Sequence, residues 1–241
     1  VFMRPFNAYA ARLALFDAPM VLEVGCGTGA IARAIARRDG FEGSITGVDQ
    51  SPAMVDHATR LAHEAGLGSE LKFEVHDAHD LEFEDGTFDI VIAHTLMSHV
   101  TDPKAVTVEL ARVVRQGGTV VVFDGDYASL TFAHADEELG RSMDRAIARA
   151  TFNNRLVMRA MPDLLRHAGL ELDVGLAEVV SEIGHASFFR SFAETYAPNV
   201  KTAGLVEDAQ VDEWVSAQRQ AMDEGRFFGA CNYYTYLARK L

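Results

Sequence analysis

Three glycines at alternate positions, Gly25, Gly27 and Gly29, stand between a short apolar run and an alanine-rich segment. The apolar run is typical of a buried strand, and the segment that follows is typical of a helix. Glycine lets a backbone turn sharply and lets a ligand approach the main chain, and the first amides of a helix can bind an anionic group. The spacing therefore predicts a cofactor-binding turn, which also includes Cys26 and Thr28.

An acidic residue, Asp49, follows twenty residues after Gly29, at the end of a second strand-like run over 44–48. In a β-α-β unit, an acidic residue at this distance lies beside the glycine turn, where it can accept hydrogen bonds from both hydroxyls of a ribose. A helix cap is the alternative role, but Ser51-Pro52 already provides one. We therefore predict a cofactor that contains a nucleoside.

The glycine turn alone does not identify that cofactor. If Ala30 takes the place of the third glycine, residues 25–30 also satisfy the pattern of dinucleotide-binding proteins. An NAD(P)-dependent oxidoreductase is therefore the alternative enzyme.

Four segments in register favour a different family. They are VLEVGCGTG (21–29), GVDQS (47–51), the stretch from His76 to Val100, and ARVVRQGGTVVVFD (111–124). Together they cover about half the chain and resemble class I S-adenosylmethionine (SAM) methyltransferases. The chain is most similar to the type 11 group, which includes enzymes of ubiquinone and menaquinone biosynthesis and many natural-product enzymes. One departure is Gln116, which stands where the family usually has proline before two glycines.

The resemblance implies SAM as the cofactor and gives roles to individual residues. Glu23 would hold the methionine ammonium group, directly or through water. Asp77 would accept a hydrogen bond from the adenine amino group, and the Ala78 amide would face a ring nitrogen. Met54 would pack on the adenine or in the core, while His94 would contact the methionine end or serve as a hydrogen-bonded structural histidine. The predicted cofactor-binding residues are Glu23, Gly25, Cys26, Gly27, Thr28, Gly29, Asp49, Gln50, Met54, Asp77, Ala78 and His94.

The residues that would act on a methyl acceptor carry a weaker signal. His99 and Asp124 are candidate general bases, which are needed only if the accepting atom is protonated at neutral pH. The candidate substrate-binding residues are Phe2, Phe6, Tyr127, Arg155, His185 and Phe188, for each of which packing or surface exposure is the alternative.

The aromatic residues among these candidates suggest the shape of the acceptor. Phe188 and Phe189, with Tyr127, could enclose a flat ring, and the N-terminal segment could close over the site. We therefore expect a small planar aromatic or heteroaromatic metabolite, quinone-like or a natural product, methylated on nitrogen, oxygen or carbon. A SAM-binding protein without catalysis is a further alternative.

The run from His76 to Asp80 contains residue types that bind metals. A metal site needs ligands that converge from several elements, whereas adjacent residues of a strand point to opposite faces. We therefore predict no metal site.

The order of elements predicts an α/β fold. Strands and helices alternate from residue 19 to about 124, which predicts parallel pairing with crossover helices. The family resemblance implies a Rossmann-like, doubly wound sheet of seven strands, mostly parallel, with an antiparallel last strand. We predict a single domain over 1–241, in which 125–160 and 184–225 form a helical cap over the active site.

Prolines mark several expected helix starts. Ser51-Pro52 and Asp102-Pro103 each combine a capping residue with proline at the first helical position. By the same reasoning, Pro162 is predicted to open a helix that Gly169 ends.

Composition limits the partners. With 22 Lys and Arg against 35 Asp and Glu, the chain carries a net charge of −13, which disfavours binding to nucleic acid. Its two cysteines cannot form a disulfide framework, and no apolar run reaches the length of a membrane span. We expect a cytoplasmic protein, a monomer or homodimer, with a small-molecule substrate and no membrane partner.

Overall fold

The computed structural model describes residues 3–13 and 18–241, so the predicted substrate residue Phe2 lies outside the described part. The helices are α1 (Met3–Ala10), α2 (Ala30–Ala36), α3 (Pro52–Glu64), α4 (Pro103–Val113), α5 (Glu137–Thr151), α6 (Val157–His167), α7 (Ala197–Thr202) and α8 (Asp208–Asp223), with a π-helix at Phe192–Tyr196. The strands are β1 (Met20–Val24), β2 (Ser44–Asp49), β3 (Leu71–Val75), β4 (Phe88–His94), β5 (Val114–Phe132), β6 (Leu170–Gly184) and β7 (Phe227–Lys240).

The strands form one seven-stranded sheet in the order β3-β2-β1-β4-β5-β7-β6. β1 pairs in parallel with β2 and β4, β2 with β3, and β4 with β5. β7 runs antiparallel to β5, because Lys240 Nζ donates to Val114 O (2.9 Å) at one end and Ala133 N donates to Phe228 O (3.1 Å) at the other. The predicted seven-stranded α/β fold with an antiparallel last strand is confirmed.

The chain divides into two compact units. The larger contains the described residues up to 124, with 157–176 and 234–241, and therefore the parallel strands and the glycine turn. The smaller contains 125–156 and 177–233, which includes α5, α7 and α8. All of the predicted cap segment 184–225 falls in the smaller unit, as does the other segment up to residue 156.

Apolar runs in adjacent parallel strands build the core of the larger unit. Leu22 and Val24 of β1 are fully buried beside Val91 of β4 and Val120 and Val122 of β5. Strands with helices on both faces bury both sets of side chains, so their sequences are apolar throughout rather than alternating. This core fixes the ends of β1, β2 and β4, which carry the predicted cofactor residues.

Aromatic side chains form the core of the smaller unit. The Phe132 ring lies edge-on to Trp214 at 5.2 Å between centroids and to Phe189 at 5.8 Å. Phe192 and Phe227 also pack against it, each at 6.1 Å. Edge-to-face pairs stabilise beyond their buried area by about 0.5–1.5 kcal/mol each.

The start of α6 differs from the prediction. The helix begins at Val157, and Pro162 lies inside it. Proline has no amide hydrogen to donate to the carbonyl four residues earlier, that of Met158. In the structure the Tyr236 hydroxyl donates to Met158 O instead, at 2.9 Å. A side chain distant in sequence therefore satisfies the carbonyl that proline leaves without its helical partner.

Candidate functional site

The three glycines of the turn all have a left-handed backbone, with φ of 72°, 52° and 71° at Gly25, Gly27 and Gly29. A Cβ on Gly25 would lie 2.7 Å from the Leu96 side chain, and one on Gly29 would lie 2.7 Å from the Phe73 ring. A Cβ on Gly27 would meet nothing within 4 Å. All three positions favour glycine by conformation, and at Gly29 the Phe73 ring also leaves no room for a side chain, whereas Gly27 faces open space.

Asp49 connects the end of β2 to this turn. Its Oδ2 accepts a hydrogen bond from Gly27 N and its Oδ1 accepts one from Ser51 N, both at 2.9 Å. The Ser51 hydroxyl caps α3 by accepting from Met54 N at 3.4 Å. A carboxylate has about four lone-pair positions, so Asp49 has room for further donors on the ligand side of the turn.

Glu23 is a buried acid on β1, with only 2% of its surface exposed. Its Oε2 accepts a hydrogen bond from Ala32 N in α2 at 2.9 Å. Burial raises the pKa of Glu23 to about 8, with Asp49 adding to the rise while the Ala32 hydrogen bond and Arg33 oppose it. A carboxyl group in this situation favours the approach of a cation, which would stabilise its ionised form.

His94, at the end of β4, is buried against aromatic rings. Its Nδ1 lies 2.9 Å from the Tyr9 hydroxyl of α1, and its ring centroid is 4.4 Å from that of Phe123. Burial lowers the pKa of His94 to about 3 and, together with Glu23, raises that of Tyr9. His94 is therefore a neutral histidine with a hydrogen-bonded partner 85 residues away in sequence.

The end of β3 forms a tight turn around His79. Asp77 Oδ1 accepts from His79 N at 2.9 Å and lies 2.6 Å from His79 Nδ1. Those interactions lower the pKa of Asp77, whose side chain is 63% exposed. His79 Nε2 accepts from Asp102 N at the start of α4 (3.2 Å). In residues 3–13 and 18–241, no group of three or more His, Cys, Asp and Glu is arranged to hold a metal ion.

The remaining predicted cofactor residues have different environments. Met54 is 43% exposed, so the alternative that it packs in the core is wrong. Gln50 is also exposed and Thr28 is partly buried. Cys26 is buried, and burial raises the pKa of its thiol, which keeps it protonated and unreactive.

The two candidate general bases lie in contrasting surroundings. Asp124, at the end of the core section of β5, is fully buried and accepts a hydrogen bond from Ser98 N at 2.9 Å. His99, the next residue after Ser98, is exposed. Asp124 thus fixes the loop after β4, and a catalytic role for either residue stays a prediction.

The candidate substrate residues are spread over both units. Phe6, in the larger unit, is buried edge-on against Tyr9, with centroids 5.5 Å apart. In the smaller unit, His185 Nδ1 lies 3.0 Å from Met222 O, and Phe188 packs on Phe192 at 5.5 Å.

Tyr127 and Arg155, both predicted substrate residues, line the same cavity of the smaller unit. The Tyr127 ring stacks on Phe152 with centroids 3.4 Å apart and an interplanar angle of 7°, which covers one of its faces. Phe189 is fully buried in the aromatic core. The enclosed flat ring therefore remains a prediction that these contacts do not support.

Residues 21–118 match the family model described as a methyltransferase domain. A phosphatidylethanolamine N-methyltransferase of Cereibacter sphaeroides is 38% identical over 144 residues, which are 56% of this chain and 69% of that enzyme. A 2-methyl-6-phytyl-1,4-hydroquinone methyltransferase of Synechocystis sp. is 34% identical over 164 residues, 68% of this chain and 45% of that enzyme. The crystal structure of the cyclase SpnF has a TM-score of 0.64 and 26% identity, covering 98% of this chain and 80% of that one.

A parallel sheet with a glycine turn after its first strand and an acid at the end of its second defines a domain for a nucleoside-containing cofactor. Its similarity to known methyltransferases shows the family, and the chain belongs to the class I SAM-dependent methyltransferases. The oxidoreductase alternative is therefore set aside. The chain spans about half to two thirds of the length of the curated relatives it matches. Across the described residues, no helix is both long and apolar enough to cross a bilayer.

Proposed function

We propose that the chain binds SAM at the glycine turn and transfers its methyl group to a small-molecule acceptor. The observation that carries the proposal is the open space at Gly27, with Asp49 bound to the amide of that same residue. Backbone that a ligand can approach, next to an acceptor for ribose hydroxyls, is what a nucleoside cofactor requires.

Electrostatics at the other end of the turn suit the amino-acid part of SAM. Glu23 is buried, and its pKa is raised to about 8. An ammonium group beside it would lower that pKa and form a charge-assisted hydrogen bond. The first amides of α2 would bind the carboxylate of the cofactor.

The adenine would lie at the end of β3. Asp77 is exposed there, and because its hydrogen bonds from His79 lower its pKa, it is an ionised acceptor at neutral pH. The exposed Met54 side chain is available to pack on the ring, as the family resemblance implies.

Methyl transfer requires mainly that the accepting atom, the methyl group and the sulfur lie in line. Bound SAM would supply an electrophilic methyl group on its sulfonium sulfur, and the neutral thioether of S-adenosylhomocysteine would be the leaving group. The protein would hold the accepting atom in line with that methyl group and exclude water. For an acceptor that is protonated at neutral pH, Asp124 or His99 would take the proton.

The acceptor that we propose is a small planar aromatic or heteroaromatic metabolite. The relative named as a hydroquinone methyltransferase supports an acceptor of this type, at 34% identity over 68% of this chain.

The proposed contact between Asp49 and the ribose hydroxyls is tested by combining a substitution of Asp49 with a ligand that lacks one hydroxyl. We expect Asp49→Ala to weaken S-adenosylhomocysteine binding by about a hundredfold, since a charged hydrogen bond contributes about 1.5–3 kcal/mol. Asp49 also holds the turn, so binding of the 2′-deoxy analogue is measured by calorimetry in both proteins. The wild type should discriminate against the analogue and Asp49→Ala should not, while the exposed Asp56→Ala serves as the matched control. Equal discrimination in wild type and Asp49→Ala would refute the ribose assignment.

Methyl transfer itself is tested with SAM carrying a tritiated methyl group and a pool of extract metabolites. Label that appears in small molecules supports the proposal. Tight binding of SAM without transfer of the label would favour the alternative of a SAM-binding protein without catalysis.

A further inference from the structure

A cavity of about 180 Å³ lies within the smaller unit. Its walls come from the end of β5, from the last two turns of α5 and from Arg155, which follows α5. Pockets that enclose a whole drug-sized ligand have volumes of about 300–1,000 Å³. This cavity is therefore of a size to hold one compact group of a ligand rather than a complete metabolite.

The cavity wall is rich in positive charge. Arg145 and Arg149 lie one turn apart on the same face of α5, and Arg155 joins them. Within the described part of the chain, none of these three guanidinium groups forms an ion pair, whereas Arg141, one turn earlier, is paired with Glu137. Three arginines around one cavity, none of them in an ion pair with a described residue, contrast with a chain whose net charge is −13.

One acid, Asp144, also lines the cavity. Its Oδ1 accepts a hydrogen bond from Phe132 N at 3.1 Å, and the Thr131 side chain is a second partner. Burial raises the pKa of Asp144 to about 7, although Arg145 and those hydrogen bonds oppose the rise. The acid is thus partly neutral at physiological pH and leaves most of the positive charge uncompensated.

We propose that this cavity binds a compact oxyanion, a phosphate or carboxylate group of a small-molecule ligand, between Arg145, Arg149 and Arg155. Guanidinium groups present paired N–H donors in a plane, which matches the oxygens of both groups. The site belongs to the smaller unit alone and does not depend on the proposed binding of SAM.

The test is calorimetric titration of the full chain with inorganic diphosphate and, separately, with malonate, at an ionic strength held constant with sodium chloride. We expect saturable binding of one of the two, and that probe identifies the phosphate or the carboxylate as the group recognised. The double variant Arg145→Gln/Arg149→Gln should weaken this binding at least about tenfold, as expected when charge-assisted hydrogen bonds are lost. Arg145 and Arg149 are exposed, so the fold should tolerate the change.

Two further variants sharpen the outcome. Arg141→Gln removes a charge from the same helix outside the cavity and should leave binding unchanged. Asp144→Asn removes the negative charge from the wall and should tighten binding. No saturable binding of either anion would overturn the proposal, and so would an equal loss of affinity in Arg141→Gln and the double variant.

Discussion

Near the glycine turn, two carboxyl groups have opposite electrostatic situations. Burial raises the pKa of Glu23 to about 8, while hydrogen bonds from His79 lower that of the exposed Asp77. The sequence identified both as acids in a suitable register, but their protonation depends on burial and on partners. In the protein without cofactor, Glu23 is therefore expected to be largely protonated at pH 7 and Asp77 to be ionised.

Binding of a cationic ammonium group next to Glu23 should therefore release a proton. Calorimetry of S-adenosylhomocysteine binding at pH 7, in buffers of different ionisation enthalpy, should show release that approaches one proton and disappears well above pH 8. Glu23→Gln should abolish the release and weaken binding, whereas the exposed Glu42→Gln should do neither. Identical release from Glu23→Gln would show that another group supplies the proton.

At the scale of the helices and strands, prolines predicted the start of two helices correctly and of a third wrongly. Pro52 and Pro103 each stand at the first position of a helix, after capping residues Ser51 and Asp102. Pro162 follows no such cap and lies inside α6. The helix can contain Pro162 because the Tyr236 hydroxyl donates to Met158 O. Since Tyr236 is distant in sequence, no local pattern around Pro162 predicts this contact.

The hydrogen bond from Tyr236 to Met158 O should contribute more to stability when Pro162 is present than when it is replaced. With Pro162, Tyr236→Phe removes the hydrogen bond to a buried carbonyl and should cost about 1–3 kcal/mol of unfolding free energy. In a Pro162→Ala background the amide of residue 162 can donate to Met158 O, so the same change should cost less. Denaturant unfolding of the four proteins measures the coupling. Additive effects would show that the Tyr236 hydroxyl contributes equally with and without Pro162 and does not replace the missing helical donor.

At the scale of the whole molecule, sequence periodicity predicted the parallel half well, because its strands and helices alternate with clear caps. The remainder depends on contacts between distant residues. Tyr9 and His94, which form a hydrogen bond, are 85 positions apart in the sequence. The three arginines line one cavity because α5 packs beside the end of β5. The extension of β5 to Phe132 and of β6 to Gly184 likewise follows strand pairing rather than local pattern.

One buried acid in the larger unit and one partly buried acid in the smaller unit should also make the stability of the protein depend on pH. The folded-state pKa values of Glu23 (about 8, ordinarily 4.5) and Asp144 (about 7, ordinarily 3.8) are raised. At a pH between the ordinary and the raised pKa of each acid, the folded state binds more protons than the unfolded state. The free energy of unfolding therefore falls as pH rises through this range.

His94, whose pKa is lowered from 6.5 to about 3, has the opposite effect, but only below pH 6.5. Between pH 6.5 and 8 the protein without cofactor should therefore lose stability, with a slope that approaches about 1.4 kcal/mol per pH unit for each proton. Denaturant unfolding at a series of pH values measures this slope. Glu23→Gln should flatten the slope, whereas Glu42→Gln should leave it as in the wild type. A slope that persists unchanged in Glu23→Gln would mean that Glu23 is already ionised in the folded protein, because then it would contribute nothing to the pH dependence in this range.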